Sequence, residues 1–578
     1  MINVRKRNGD IVPFEISKIK NAIQGAFSSC NLSVEEKVID SMISEIELYD
    51  EMSVEEIQDQ IEEILMDYDY PEVAKSYIIY RFKRKNTRDR VKSKLEFINN
   101  YINSDNTANA TIDDNSNVSN RNIAVLNSEI HKEDNMEINL RMLRDKVKEL
   151  YPDFNYKQMD IDLNSIAYLH DSSSQIGMPY CVAITMYPFL INGIKDLGGL
   201  SASPKNIDSF CGMFINLVFA IASQFKGAVA TPGVLLCMDW YLRKEWGNDY
   251  YIKKDVIISN EHCNRKQTIQ GQIHQYFQQI VYSLMQSSGS RGNQSVFWNL
   301  SIFDKPFFDT MYGDFYFPDG TQPQWESLNW LQKDFLHWFN QERLKCILTF
   351  PVVSVCLIYQ DNKFIDKDLY EFVCQEYSEG NSFFTYISDS ADSLSSCCRL
   401  SSKINKPQFN FTNGQLSEMT GSKNVITLNL NRIIQDWYRA DKPNEWTEYD
   451  IQGVMHDEND RLNTMWIGSK KAAYISLKAY LINILDRIYK YQTAYNECLK
   501  YLKDNKLLPV YDAGFIDMKK QYLTIGINSL NQAAEFLGLQ CNKNKEYEEF
   551  CNLIFTTIKE QNQLHKTNEL MFNTEFTP

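Results

Sequence analysis

The sequence predicts an α/β protein with a small, mostly helical module at its N-terminus. Helical stretches at roughly 139–151, 206–226, 271–287 and 470–503 alternate with short β-rich runs, Val296-Phe297-Trp298-Asn299-Leu300 and Ile347-Leu348-Thr349-Phe350-Pro351-Val352-Val353. Strands that alternate with helical segments point to an α/β architecture. The first ninety residues instead hold a hairpin followed by helices. At 578 residues the chain exceeds what one hydrophobic core usually supports, so two or more units are expected.

Taken in order, Val4-Arg5-Lys6-Arg7-Asn8-Gly9-Asp10-Ile11-Val12-Pro13-Phe14 sets Asn-Gly between two short apolar-containing runs, a strong hairpin signal. Ser17 stands where it would cap the next helix, in which Ile19, Ala22, Ile23, Ala26 and Phe27 recur at helical spacing along one face. Ser53-Val54-Glu55-Glu56 has the capping-box pattern and opens a stripe of Val54, Ile57, Ile61, Ile64 and Leu65. A third helix follows Pro71, passes Val73, Ala74, Tyr77 and Ile78, and runs into Arg81, Lys83, Arg84 and Lys85. From about Asn99 to Asn122, Asn, Asp, Ser and Thr dominate, which reads as a polar connection. The expected division is therefore a small module over 1–90, a linker and the start of the next unit over 91–135, and the main unit over 136–578.

Hydrophobic residues make up 43%, with 33 Tyr and 32 Phe, enough for a packed interior. The net charge of -15 argues against a DNA or RNA polymer as partner, because polyanion binding needs a basic face. No apolar run is long enough to span a membrane, and Met1 to Asp10 is charged where a signal core would be apolar. A cytoplasmic protein is expected. Thirteen irregularly spaced cysteines, an odd number, do not make a disulfide framework. Cys-x-x-Cys is absent and the seven histidines show no ligand spacing, so neither zinc nor another bound metal is expected.

Several segments carry chemistry. Lys6 and Arg7 beside a tight Gly9 turn offer cations and approachable amides to a triphosphate; alone, such a pair reads as solvated surface charge. Pro179-Tyr180-Cys181-Val182 alone reads as a loop followed by a buried structural cysteine. Cys397-Cys398-Arg399-Leu400 follows a run of small polar residues. Adjacent cysteines form only a strained bridge, so a reactive thiol in a loop is the alternative.

The N-terminal module resembles the ATP-cone, through the Val4-x-Lys6-Arg7-x-Gly9 hairpin, Phe14, Lys18-Ile19, Ala22-Ile23 and Val73-Ala74-Lys75-x-Tyr77-x-x-Tyr80-Arg81. The remainder resembles the catalytic subunit of anaerobic (class III) ribonucleotide reductases. The matching segments are Pro179-Tyr180-Cys181, Arg291-Gly292-Asn293-Gln294-Ser295-Val296-Phe297-Trp298-Asn299, Leu348-Thr349-Phe350-Pro351-Val352, Cys397-Cys398-Arg399-Leu400 and Asn424-Val425-Ile426-Thr427-Leu428-Asn429, in the family's order.

The resemblance implies a ten-stranded α/β barrel with a central finger loop, incomplete at its C-terminus, which reduces ribonucleoside triphosphates by thiyl-radical chemistry. It makes Cys398 the thiyl residue, with Cys397 the lesser candidate, and Cys181 the donor of hydrogen to C2′ from the opposite side of the sugar. Asn120, Asn122, Asn293, Asn299 and Arg399 are candidates for substrate contact, although loop asparagines also serve turns. It implies ATP as activator and dATP as inhibitor, with Mg2+, at Val4, Lys6, Arg7, Asn8, Gly9, Lys18, Lys75, Tyr77 and Arg81. It further implies a homodimer with deoxynucleotide effectors and a radical-SAM iron-sulfur activase.

The chain departs from the family near its end. The family's glycyl-radical loop and the four-cysteine zinc site before it have no counterpart, and the last glycine is Gly538, in a segment that reads as helix. The expectation is a chain whose glycyl-radical fragment is supplied separately or missing, inactive alone. Two other readings stay open: a catalytically silent nucleotide-binding remnant, and another glycyl-radical enzyme, against which the cone speaks.

Overall fold

The computed structural model describes residues 2–7, 9–103, 123–260, 265–288, 294–379, 383–391, 409–410, 414–415, 418–440 and 470–576. The chain divides into two compact units, Met1–Ala110 and Thr111–Pro578, each with its own apolar core.

In the first unit, β1 (Asn3–Arg5) pairs antiparallel with β2 (Ile11–Pro13) and parallel with β3 (Met52–Ser53). Gly9 makes the turn at φ +90, a conformation that costs glycine little. Four helices follow the hairpin: α1 (Ile16–Ser29), α2 (Glu36–Ser44), α3 (Val54–Asp67) and α4 (Pro71–Asn103). The capping box of α3 is complete, with Glu56 N–H donating to Ser53 Oγ (3.2 Å) and Ser53 N–H to Glu56 Oε2 (2.8 Å). Ser17 is not a cap: α1 starts one residue earlier, and Glu15 holds the cap position. Ile19, Ile23, Ala26 and Phe27 are buried as the periodicity predicts, whereas Ala22 is exposed. The 9-residue α2 is too short to announce itself by periodicity. Helix α4 runs 33 residues, well past residue 90, because its basic second half contains neither Gly nor Pro to stop it.

The second unit is built on a ten-stranded mixed sheet. In chain order its strands are β4 (Ala167–Leu169), β5 (Cys181–Ala183) and β6 (Val229–Ala230). Two separate ribbons follow, β7 (Ile257–Asn260) with β8 (Arg265–Thr268) and β9 (Ser287–Ser288) with β10 (Gln294–Ser295). The sheet resumes with β11 (Trp298–Phe303), β12 (Val352–Gln360), β13 (Lys363–Phe364) and β14 (Phe384–Ser388). After the ribbon β15 (Phe409–Asn410) and β16 (Gly414–Gln415) come β17 (Thr420–Asn429), β18 (Tyr522–Asn528) and β19 (Met571–Phe576).

β5, β6, β11, β12 and β14 run parallel, as do β17, β18 and β19, and the two sets meet antiparallel where β5 pairs with β17. Among the described residues no pairing joins β14 to β19. The predicted helices appear as Lys132–Leu150, Ile207–Ala222, Ile269–Leu284 and Lys470–Asp504. The strand expected over 347–353 instead begins at Val352, since Pro351 has no N–H to give to a ladder. Gly538 is not helical. It follows the helix Leu530–Phe536 at φ +77 and donates its N–H to Glu535 O (2.9 Å), a glycine terminating a helix. Among the described residues no helix is long and apolar enough to cross a membrane.

Candidate active site and effector pocket

The strand register sorts the sheet into two unlike faces. Side chains alternate along a strand, and residues paired across strands share a face. The pairs Ser422↔Cys181, Thr420↔Ala183, Ala183↔Ala230, Ala230↔Asn299 and Ser301↔Ser354 therefore set Cys181, Ala183, Ala230, Asn299, Ser301, Ser354, Thr420 and Ser422 on one face. Val182, Val229, Trp298, Leu300 and Ile302 lie on the other, all buried in the main apolar core. The first face is equally buried but polar.

Cys181 opens β5 and is fully buried. Its carbonyl accepts a hydrogen bond from Gln521 Nε2 (3.0 Å), and Gln521 Oε1 accepts from the Tyr511 hydroxyl (2.6 Å). Burial pushes the Tyr511 hydroxyl far above its ordinary pKa, so it stays a donor. Opposite Cys181, Ser422 Oγ and Thr524 Oγ1 are 2.8 Å apart, and Thr524 Oγ1 donates to Asn573 Oδ1 (2.8 Å), a hydroxyl and amide ladder from β17 to β19. Gly421, at φ +150, lets the two halves meet closely, since a Cβ there would stand 2.4 Å from the Cys181 carbonyl oxygen.

Four buried polar atoms of the sheet, Asn299 Oδ1, Ser301 Oγ, Thr420 Oγ1 and Asn528 Oδ1, have no hydrogen-bond partner among the described residues. The amide of Asn299 is oriented by its other end, Nδ2 donating to Ser354 Oγ (3.0 Å). Thr420, Ala183, Ala230 and Asn299 form one row across four strands, so two alanines separate Thr420 from Asn299 by roughly 14 Å, three strand spacings. A buried polar atom left unbonded costs about 1–3 kcal/mol, so several on one face call for an explanation and make it the candidate site.

Two buried charged groups on β17 and just before it were not singled out from the sequence. Burial raises the Glu418 carboxyl to about 7, against bonds from Tyr312 and Thr185 that lower it; the Tyr312 hydroxyl lies 2.5 Å from Glu418 Oε1. Burial lowers the Lys423 ammonium to about 8, and Lys423 Nζ donates to Asn496 Oδ1 (2.6 Å) and Glu569 O (3.4 Å). Nothing local in the sequence signals either, because burial here comes from strands and helices remote in the chain. His170 is a hydrogen-bonded residue, its Nε2 lying 2.7 Å from Thr427 Oγ1.

His337, Glu376 and Glu379 do present ligand atoms within 4.8 Å of one another, a grouping the histidine spacing did not suggest. Both Glu376 oxygens are engaged, one by His337 Nδ1 (2.9 Å) and the other by Asn340 Nδ2, while Glu379 accepts from Gln341 Nε2 (3.4 Å). Cys397, Cys398, Arg399, Asn120, Asn122, Asn293 and Asn8 lie outside the described residues.

The first unit holds a cavity of about 160 Å³ between the hairpin, α1, α3 and α4. Val4, Ile19, Ile57 and Ile61 give it an apolar floor, while Lys6, Glu15, Lys18, Gln58 and Tyr77 supply its polar groups, Lys18 being paired with Glu15 (2.8 Å). Tyr77 is buried, and that burial raises its hydroxyl to about 12. Lys75 faces solvent and is not part of the lining: two positions from Tyr77 on a helix, it turns away. Arg7 and Arg81 do not line the cavity either. Arg7 is paired with Glu55 and donates from Nη2 to Gln58 Oε1 (2.9 Å). Arg81 pairs with Glu55 (2.6 Å), Asp59 (2.5 Å) and Glu62 (2.8 Å).

The profile described as "Anaerobic ribonucleoside-triphosphate reductase" matches residues 114–578, which is most of the chain. The chain belongs to this family. Residues 2–86 match the ATP cone domain, so the first unit carries the cavity of a cone. An anaerobic ribonucleoside-triphosphate reductase of Haemophilus influenzae is 26% identical over 265 residues, 42% of this chain and 35% of that protein. A vitamin B12-dependent ribonucleoside-diphosphate reductase of Thermoplasma acidophilum is 39% identical over 94 residues, 15% of this chain and 12% of that protein. The matches thus span about a third or less of these relatives' lengths. Among solved structures, the anaerobic ribonucleotide reductase from Thermotoga maritima with citrate in the active site superposes with a TM-score of 0.64 at 25% identity, over 84% of this chain and 78% of that one. The same reductase in complex with dATP and CTP gives 0.62 at 25% identity, over 78% and 68%.

Proposed function

We propose that this chain is the catalytic part of a class III reductase that converts ribonucleoside triphosphates to the deoxy form, under control of adenine nucleotides bound in the cone. The observation that carries the reading is the buried thiol of Cys181 on the polar sheet face, beside polar groups without partners, in a chain of this family.

In the proposed reaction, a thiyl radical on Cys398 takes the 3′ hydrogen of the ribose as an S–H bond. Sulfur suits this step because S–H and ribose C–H bonds are close in strength, so the transfer is reversible. The C3′ radical labilises the 2′ hydroxyl, which leaves as water. Cys181 supplies the hydrogen to C2′, Cys398 returns the 3′ hydrogen, and an external donor, formate or a thiol or iron protein, provides the two electrons consumed. The enclosed face keeps water from the radical, and Asn299 Oδ1, an acceptor without a donor, suits a ribose hydroxyl. Asn120, Asn122, Asn293 and Arg399 complete the proposed substrate contacts.

The cone cavity takes the adenine on its apolar floor and the phosphates at Lys6 and Lys18, with Mg2+. A homodimer in the cytoplasm, served by a radical-SAM activase, is the assembly this reading requires. The test is an anaerobic assay with CTP or ATP as substrate, with and without an added glycyl-radical fragment and its activase, while dATP is titrated. Deoxynucleotide formed only with the fragment, and suppressed by dATP, supports the reading. Effector binding without turnover under any of these conditions would leave a nucleotide-binding remnant in its place.

A further inference from the structure

Glu55 occupies an unusual position in the cone. Its carboxylate accepts hydrogen bonds from Arg7 Nε and from Arg81 Nη2 (2.6 Å), so one anion joins two guanidinium groups that reach it from different elements. Glu55 is the second residue of α3, where the free N–H groups of a first helical turn favour negative charge. Burial works against its ionisation, but the bonds to Arg7 and Arg81 prevail and hold its carboxyl below the ordinary range. Carboxylate and phosphate present the same paired-acceptor geometry to a guanidinium.

The two arginines are not equally committed. Arg81 keeps Asp59 and Glu62 if Glu55 leaves, whereas Arg7 has Glu55 as its ion-pair partner and otherwise the neutral Gln58. Gln58 itself lines the cavity and accepts from Arg7 Nη2 (2.9 Å), so Arg7 stands one hydrogen bond from the lining. Lys6 lines the same cavity and makes no ion pair among the described residues. The Glu55 side chain is 43% exposed, which leaves it room to swing away, and of the carboxylates around Arg81 it is the one that also holds Arg7.

We propose that Glu55 is a built-in stand-in for an effector phosphate, neutralising Arg7 in the empty cone and displaced from it when a nucleoside polyphosphate enters. The inference rests on the reading of the cavity as a nucleotide site. Glu55 then sets effector affinity by competition: the phosphate gains Arg7 only by breaking an existing ion pair. It also disfavours weaker anions, which cannot repay that loss.

The test is titration of the full chain with ATP and with dATP, each with Mg2+, followed calorimetrically. Glu55→Gln removes the competing charge, and binding about fivefold tighter is expected, the upper range for a partly exposed pair. Glu55→Ser should do the same and guards against a fold defect peculiar to the amide. Asp59→Asn, which touches Arg81 alone, should leave affinity unchanged. Arg7→Gln should weaken binding about tenfold, and adding Glu55→Gln to it should give no further gain, since the pair acts as a unit. Equal or weaker binding by both Glu55 variants, or a gain that persists without Arg7, overturns the proposal while leaving the cone a nucleotide site. No binding of either nucleotide by the unaltered chain would remove both.

Discussion

The cone and the sheet unit keep their polar groups in opposite states. Around the cone cavity the strongest charges already have partners: Arg7 is paired with Glu55, and Arg81 with three carboxylates. On the polar face of the sheet, Asn299, Ser301, Thr420 and Asn528 each present a buried atom with none among the described residues. A site near the surface can neutralise itself when empty, because flexible charged side chains find one another. An enclosed site of short, neutral side chains fixed by strand register cannot. The first arrangement makes binding an exchange of ion pairs. The second fixes its polar atoms in place, at a cost in stability, and under the proposed function it is preorganised for the substrate.

The comparison is broken most decisively at Cys181. Cys181→Ala in the reconstituted enzyme should abolish deoxynucleotide formation, by at least about 1000-fold on the scale of a lost chemical step, while ATP and dATP still bind the cone. A substantial residual turnover would mean that the polar face is not the reacting surface. Thr420→Val sharpens the same point more gently. Replacing an unpaired buried hydroxyl with a methyl group should leave the unit as stable or up to about 1 kcal/mol more stable in thermal unfolding. The same change should raise KM for the substrate several-fold if the hydroxyl meets it. Lower stability with unchanged KM would show that Thr420 has a structural partner instead.

Glu418 gives a prediction in pH. Its carboxyl is raised to about 7 in the folded protein from an ordinary unfolded value of about 4.3, so folding favours its protonated form. The stability it contributes is complete below the unfolded value and is lost as pH rises through about 7. Glu418→Gln, which cannot ionise, should flatten the melting temperature over pH 5 to 8, where the unaltered chain declines. Parallel curves for the two would show that some other group carries the dependence.

What the sequence made legible divides along the same line. The hairpin turn at Gly9, the Ser53 capping box and the stripe from Ile57 to Leu65 are local patterns, and each has its expected structure. Cys181 is legible as a residue, through the Pro-Tyr-Cys segment that carries the family resemblance. Its surroundings are not. Ser422, Asn299 and Thr524 lie more than a hundred residues from Cys181 in the chain and reach its face through strand pairings, and no local spacing encodes a register between distant strands. Tyr77 was legible as a helix position and, through the resemblance, as an effector contact, but the pairing of Arg81 with Glu55, Asp59 and Glu62 was not, since it links two helices. The strand that begins at Val352 was displaced by Pro351, a rule the sequence contains but apolar character obscured.

The smallest expected effect tests whether the two units are as separate as their cores. Ser53→Ala removes the hydroxyl that accepts from Glu56 N–H (3.2 Å) and should cost about 1 kcal/mol, the usual worth of such a cap. That loss falls on α3, whose Ile57, Ile61, Ile64 and Leu65 belong to the cone's core and not to the larger one. Calorimetry should therefore show the cone's transition lowered by a few degrees and the main transition unmoved. The bond between Ser53 N–H and Glu56 Oε2 (2.8 Å) survives in the variant, which keeps the effect at the level of one cap. If both transitions fell together, the units would unfold as one, and the self-neutralised cone could not be treated as a module whose charge exchange proceeds independently of the sheet.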